Sequence, residues 1–337
     1  MVDGDEGRGT LERLPEGEAV AATGLSLALV EDIEAARQYR QRARAANTTR
    51  AYASDWAQFE GWCWERALEP LPASPKVVAT YLAARARAGN APSTITRHLA
   101  AIGWQHRQAG AVAPQARDTK MVIADTLAGI RREQRARPTG KKAAIGAADL
   151  ARMIANAEGE GPRAIRDRAV LALGLAAALR RSELVALKLA DLALVEQGLT
   201  LRIRQSKTDQ EGTGAVIAIP AGKVLTPVKH LNAWLKLRGG EPGTLFTRIG
   251  PTGLLTSDPM SDRSVARLVQ RYADRIGLAP GSVAGHSLRA GLLTEAARTR
   301  ASLPKMQEVS RQKSIDVLLG YIRSAALFDD HAGGGFL

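Results

Sequence analysis

Gly285-His286-Ser287-Leu288-Arg289-Ala290-Gly291 is the stretch on which the fold turns. It reads as the opening of a helix, with His286 and Arg289 three residues apart on one face. Working back, Leu179-Arg180-Arg181-Ser182-Glu183-Leu184 follows the apolar run 169–179, which closes a helix expected over 163–178. Between the two stretches Leu199, Leu201 and Ile203 alternate with Thr200, Arg202 and Arg204, the period-two mark of a half-buried strand. Residues 216–219 supply a returning strand, and Ser206-Lys207-Thr208-Asp209 opens the polar turn between them, which runs to Gly214. Working forward, Lys313-Ser314 and Tyr321-Ile322-Arg323 approach the C-terminus. Helices are expected at 148–157, 181–187, 225–237 and 261–276. Each residue alone has an ordinary reading: Arg180 as a helix-end salt bridge, His286 as a helix-start hydrogen bond, Tyr321 as a core aromatic.

Together and in this order, Arg180, Lys207, His286-x-x-Arg289 and Tyr321 resemble the tyrosine recombinases, the phage integrase family. The heptapeptide 285–291 and the terminal Tyr321-Ile322-Arg323 are the specific signals; Arg180 with Glu183 alone would be weak. The resemblance runs from about residue 45 to the end. It takes in Ser93-Thr94-Ile95 and His106-Arg107, which look like the family's DNA-gripping helices. The fold it implies is mainly α with a small β-sheet: a helical, SAM-like core-binding domain followed by an α+β catalytic domain. The activity it implies is site-specific cleavage and rejoining of double-stranded DNA through a 3′-phosphotyrosine.

Physical chemistry makes each implied role sensible. Arg180 and Arg289 would clamp the non-bridging phosphate oxygens with permanently charged, planar forks, Arg181 being the competing candidate for the first position. Tyr321 would attack phosphorus. His286 would accept its proton, and Lys207 would protonate the leaving 5′ oxygen. Glu183 would orient His286 or an arginine. The implied reaction calls for no metal and no nucleotide cofactor, because arginines carry the charge and transesterification is isoenergetic. Exchanging two duplexes takes four cuts, hence a homo-tetramer on two sites, a dimer per site.

The pattern departs from the family at one position. A His or Trp usually stands nine residues before the nucleophile, and here that position is Gln312. Glutamine can donate a hydrogen bond to a phosphate oxygen but brings no charge. A slow but active enzyme is expected. Two other readings stay open at this stage: a DNA-binding protein with degraded catalysis, and a type IB topoisomerase-like relaxing enzyme, against which the small helical first domain argues.

Composition agrees with a DNA partner. The 337 residues carry a formal charge of +13, which suits a polyanion. The charge is uneven: residues 1–34 hold nine acids and two bases, so 1–25 read as a disordered acidic tail. No signal peptide is legible at the start and no apolar run is long enough to span a bilayer, so a cytoplasmic, nucleoid-associated protein is expected. One cysteine, Cys63, excludes an internal disulfide. Its neighbours Trp62 and Trp64 suggest a buried helix.

The domains expected are a helical DNA-binding domain over 26–136, a basic linker over 137–145 and a catalytic domain over 146–337. Helices in the first are placed at 27–45, 48–66, 74–88, 93–109 and 118–135, with Thr48, Ser74 and Ser93 as capping candidates. Arg50 lies on an exposed face, and Thr94, Arg97, His98, Gln105 and Arg107 form a polar face on 93–109 that could grip phosphates. Lys141 and Lys142 supply linker charge. On 261–276, Arg263, Arg267, Arg271 and Arg275 recur every four residues as a basic stripe suited to a major groove. The terminal segment 325–337 carries an apolar patch suited to docking on a neighbour.

Overall fold

The computed structural model describes residues 27–42, 46–135, 142–204 and 214–325. They form two compact units that divide between Thr139 and Gly140.

The first unit is helical: α1 (Leu27–Arg42), α2 (Ala46–Trp64), α3 (Pro75–Arg87), α4 (Pro92–Gln108) and α5 (Val122–Gln134). Its core gathers Phe59, Tyr81, Leu82, Ile95, Ile102 and Leu127. Cys63 is fully buried in it, and burial lifts its thiol to about 11, so it packs and does not react. Trp62 packs on the same core. Trp64, by contrast, is 66% exposed, so the two flanking tryptophans do not share one environment.

Of the three capping residues expected in this unit, Ser74 alone caps its helix. Ser74 does cap α3, accepting from the Val77 amide ahead of Pro75. Ser93 and Thr48 do not cap, because α4 already starts at Pro92 and α2 at Ala46. α5 begins four residues later than the pattern implies. Asp118 stays outside it and accepts from the Val122 and Ile123 amides at 2.9 and 2.8 Å.

The polar face expected on α4 is divided: Arg97 and Arg107 are exposed, Thr94 and Gln105 half-buried, and His98 turned inward. His98 and His106 are buried. His98 Nδ1 meets the Tyr81 hydroxyl at 3.0 Å. His106 accepts from the Ala73 amide through Nε2 and donates to the Ile102 carbonyl through Nδ1. These are satisfied core histidines, so His106 is withdrawn from the DNA-gripping set. Arg97 reaches back to buried Asp55 through two hydrogen bonds of 2.7 and 3.0 Å.

The second unit is built around α7 (Pro162–Ala176), whose residues 169–173 are fully buried. Around it lie α6 (Ala147–Ala155), α8 (Arg181–Ala186), α9 (Pro227–Arg238), α10 (Asp262–Arg275), α11 (Ser287–Arg298), α12 (Leu303–Ser310) and α13 (Ile315–Ala325). The expected alternation is found in β2 (Gly198–Ile203), which pairs antiparallel with β3 (Ala215–Pro220) so that Leu199 faces Ile219 and Leu201 faces Ile217. A third strand, β1 (Leu192–Val195), adds to its other edge. A second hairpin joins β4 (Thr247–Ile249) to β5 (Leu255–Pro259). The sequence pattern missed β1, β4 and β5, because β1 and β5 bury neither face and β4 is three residues long.

Two glycines let α11 sit where it does. An added Cβ at Gly291 would lie 2.0 Å from the Ile145 carbonyl oxygen, and one at Gly285 would strike the Arg181 side chain at 2.1 Å. The Ile145 amide in turn donates to the Ser287 carbonyl. The segment entering the unit thus lies directly on the start of α11.

Candidate active site

α7 ends in a tight reversal: Ala178 takes a left-handed φ of 46°, and α8 restarts at Arg181. The turn's own amides close the end of α7, from Ala177 to Leu173, Leu179 to Gly174 and Ala178 to Leu175, and two arginines from distant segments take the carbonyls of Ala177 and Ala178 just beyond it. Arg289, on the first turn of α11, donates to the Ala178 carbonyl at 2.8 Å. Arg311 donates to the Ala177 and Ala178 carbonyls at 3.3 and 3.2 Å. The negative end of the helix dipole favours both charges.

Glu183 stands third in α8 and is buried. Its Oε2 accepts from the Arg180 amide at 2.9 Å and from Arg311 at 2.9 Å, and its Oε1 accepts from the Arg180 guanidinium at 2.5 Å. Burial raises its pKa, but the Arg180 amide and the Arg311 and Arg180 charges outweigh that and hold it below the usual carboxylate value. Three guanidiniums thus crowd one carboxylate, an excess of positive charge in a partly buried pocket. Arg289 feels it most: burial first, then Arg180 and Arg311, bring its pKa down to about 10.

The remaining side chains face this cluster. Gln312 accepts from Arg289 at 3.2 Å through Oε1, which leaves its amide nitrogen as a donor. Tyr321, half-buried on α13, packs against the cluster of Leu293, Ala297, Met306 and Leu318. Burial raises the phenol's pKa and the Arg289 charge opposes it. His286 immediately precedes α11. Desolvation by the surrounding protein, then the charges of Arg289, Arg180 and Arg181, lower its pKa, so its imidazole is neutral near pH 7.

The two neighbouring arginines differ in their surroundings. Arg180 points to Glu183, while Arg181 lies over Gly285 and is exposed. Glu183 contacts arginines rather than His286. The sequence reading gave Arg311 no role; apart from the Val309 carbonyl, its partners lie 128 or more positions away along the chain.

Known proteins carry the same organisation. The family model described as Phage integrase family matches residues 144–327, and the one described as Phage integrase, N-terminal SAM-like domain matches 37–106. An integrase/recombinase xerD homolog of Selenomonas ruminantium is 32% identical over 300 residues, which cover 88% of this chain and 87% of the relative. The chain belongs to the phage integrase family of tyrosine recombinases. A tyrosine recombinase XerC of Mycobacterium sp. (strain KMS) is 28% identical over 80% of this chain and 85% of its own. Among solved structures, the Tn1549 transposon integrase in complex with transposon right end DNA aligns with a TM-score of 0.60 at 15% identity, over 87% of this chain and 96% of that one. A lambda integrase dimer bound to a COC' core site aligns at 0.57 and 20% identity, over 88% and 94%. Both bear out the mainly helical fold with small antiparallel sheets.

Lys207 and Lys141 fall outside the described residues, as does 326–337. Lys142 donates to the Gly281 carbonyl. Arg50 bonds Asn47 on an exposed face, and Arg107 is exposed. The α10 stripe divides. Arg271 approaches Asp167 at 3.7 Å, and Arg275 lies over the Tyr272 ring while donating to Asn156. Arg263 and Arg267 are exposed, with no ion pair among the described residues.

Proposed function

We propose that this chain cleaves and rejoins double-stranded DNA at specific sites through a covalent bond between Tyr321 and a 3′ phosphate. The observation that carries the reading is the gathering of Arg180, of His286 with Arg289, and of Gln312, from three separate segments, around an Arg289 charge that reaches Tyr321 on a fourth, the arginines being held by Glu183 and the turn after α7. A phosphodiester seated between Arg180 and Arg289 would have its non-bridging oxygens neutralised by groups already in place. The Tyr321 oxygen forms the new bond to phosphorus as the bond to the 5′ oxygen breaks. The phenol proton passes to neutral His286, and the leaving oxygen takes a proton from Lys207. Gln312 donates its amide N–H to the developing oxyanion. The reverse sequence rejoins the strand.

Recombining two duplexes by this route takes four nucleophiles, so a tetramer of identical chains on paired sites, a dimer per site, follows, with the 325–337 segment as the docking element. Counting protomers by native mass spectrometry on paired full sites tests it, and a complex that cleaves as a dimer overturns it. The exposed arginines of α10, with Arg50 and Arg107 of the first unit, supply DNA contacts. A soluble protein acting on chromosomal DNA in the cytoplasm fits this reading; no described helix is long and apolar enough to cross a membrane.

The test of the chemistry starts from a binding site selected out of a randomised duplex library, then nicked beside the expected cleavage point to trap the adduct. Wild-type protein should become covalently attached to the DNA. Tyr321→Phe should bind within a few-fold and form no adduct. An adduct on Tyr321→Phe would remove the nucleophile assignment.

A further inference from the structure

Arg311 occupies a conformation that its own residue type disfavours. It follows α12 with a left-handed φ of 54°, where a Cβ crowds the backbone and glycine is the usual occupant. Its side chain is only 8% exposed, and burial lowers its pKa. A buried guanidinium in a strained backbone position needs a compensating role. The contacts name one. It donates to the carbonyls of Ala177, Ala178 and Val309 and to Glu183 Oε2. The next residue is Gln312, which meets Arg289.

We propose that Arg311 is a positioning residue for strand cleavage: it shares Glu183 with Arg180 and pins the turn carrying Gln312 to the end of α7. Its first effect is electrostatic. With Arg311 on Oε2, the carboxylate is divided between two guanidiniums, and Arg180 keeps charge to offer a phosphate. Without Arg311, Glu183 faces Arg180 alone and neutralises it. The second effect is geometric. Arg311 and Arg289 bond the same Ala178 carbonyl, so the turn before α13 and the start of α11 are registered on one atom. Gln312 is thereby held where its carbonyl oxygen meets Arg289.

The inference rests on the cleavage reading above, and the assay separates the two. Arg311→Gly removes the side chain while relieving the backbone, so it isolates the guanidinium from the fold. On the nicked duplex, Arg311→Gly should bind DNA within a few-fold of wild type and form adduct about 100-fold more slowly, the scale of a misplaced reacting group. Arg311→Lys should recover part of that loss, having charge but a single donor head. In a Glu183→Gln background, adding Arg311→Gly should cost far less than it does alone, because the shared partner is already weakened. If Arg311→Gly does not fold, Arg311→Lys in both backgrounds carries the comparison. Cleavage at the wild-type rate by either foldable variant, or an equal loss in both backgrounds, overturns the proposal. A wild-type protein that binds its site but forms no adduct overturns the cleavage reading, and the role of Arg311 falls with it.

Discussion

At the scale of single residues, Gln312 is where this chain departs from the family pattern, and its placement gives the departure a magnitude. Its carbonyl oxygen is occupied by Arg289, so on the cleavage reading proposed above its amide NH2 would stand in for the imidazole or indole donor usual there. Losing a donor to a developing oxyanion costs about 2.7–4 kcal/mol. Replacing one by a weaker donor should cost less. Gln312→His should raise the single-turnover cleavage rate up to about tenfold, roughly 1.4 kcal/mol, and Gln312→Ala should lower it, with DNA affinity unchanged in both. Equal rates for Gln, His and Ala would place the residue outside the reacting centre. His286 adds a pH signature: its pKa is lowered, so the neutral, proton-accepting form persists below pH 6.5. The acid limb of cleavage should therefore lie below 6.5, since activity is lost only as pH falls through the shifted value.

At the scale of elements, the heptapeptide 285–291 repays inspection of both its glycines. Gly291 meets backbone at Ile145, while Gly285 meets the Arg181 side chain. A side chain can swing away and a buried carbonyl cannot. Gly291→Ala should lower stability by about 1–3 kcal/mol, the range for forced overpacking, and Gly285→Ala by distinctly less. Chemical denaturation measures both, and equal losses would mean that Ile145 gives way as easily as Arg181. This motif shows what was legible in the sequence. The family resemblance pointed to Arg180, His286, Arg289 and Tyr321, whose charges and rings the structure brings within reach of Arg289, and the period-two pattern found β2 and β3. The inward turn of His98 and His106 was not legible, because a polar residue that finds partners in the core leaves the same mark on a helical wheel as one that faces water. Nor were β1, β4 and β5, whose short or exposed runs carry no hydrophobic alternation.

At the scale of the whole molecule, those buried histidines tie stability to pH. Burial, chiefly, lowers the pKa of both His98 and His106 below 6.5, so the folded chain binds fewer protons than the unfolded one. Their contribution is complete above about pH 6.5 and is lost as pH falls from there through the shifted values. Glu183 acts in the same direction lower down: its depressed pKa favours the fold above 4.5 and ceases to as pH drops through the folded value. Melting temperature should fall from pH 7 to pH 5, and His106→Gln should flatten that slope. A melting temperature independent of pH across this window would mean that the histidines titrate freely in the folded state.

The arginines gathered after α7 also predict an affinity of the free protein for small anions. Arg180 and Arg311 share the Glu183 carboxylate, while Arg289 beside them bonds only the neutral oxygens of Ala178 and Gln312, so like charges repel until something negative arrives. Any small tetrahedral dianion can relieve that repulsion before DNA does. Sulfate or inorganic phosphate should raise the melting temperature of the free protein through mass action on the folded state. The same ions should slow cleavage competitively, beyond what chloride does at equal ionic strength. The solvent would then be the enzyme's first ligand, and DNA its displacer.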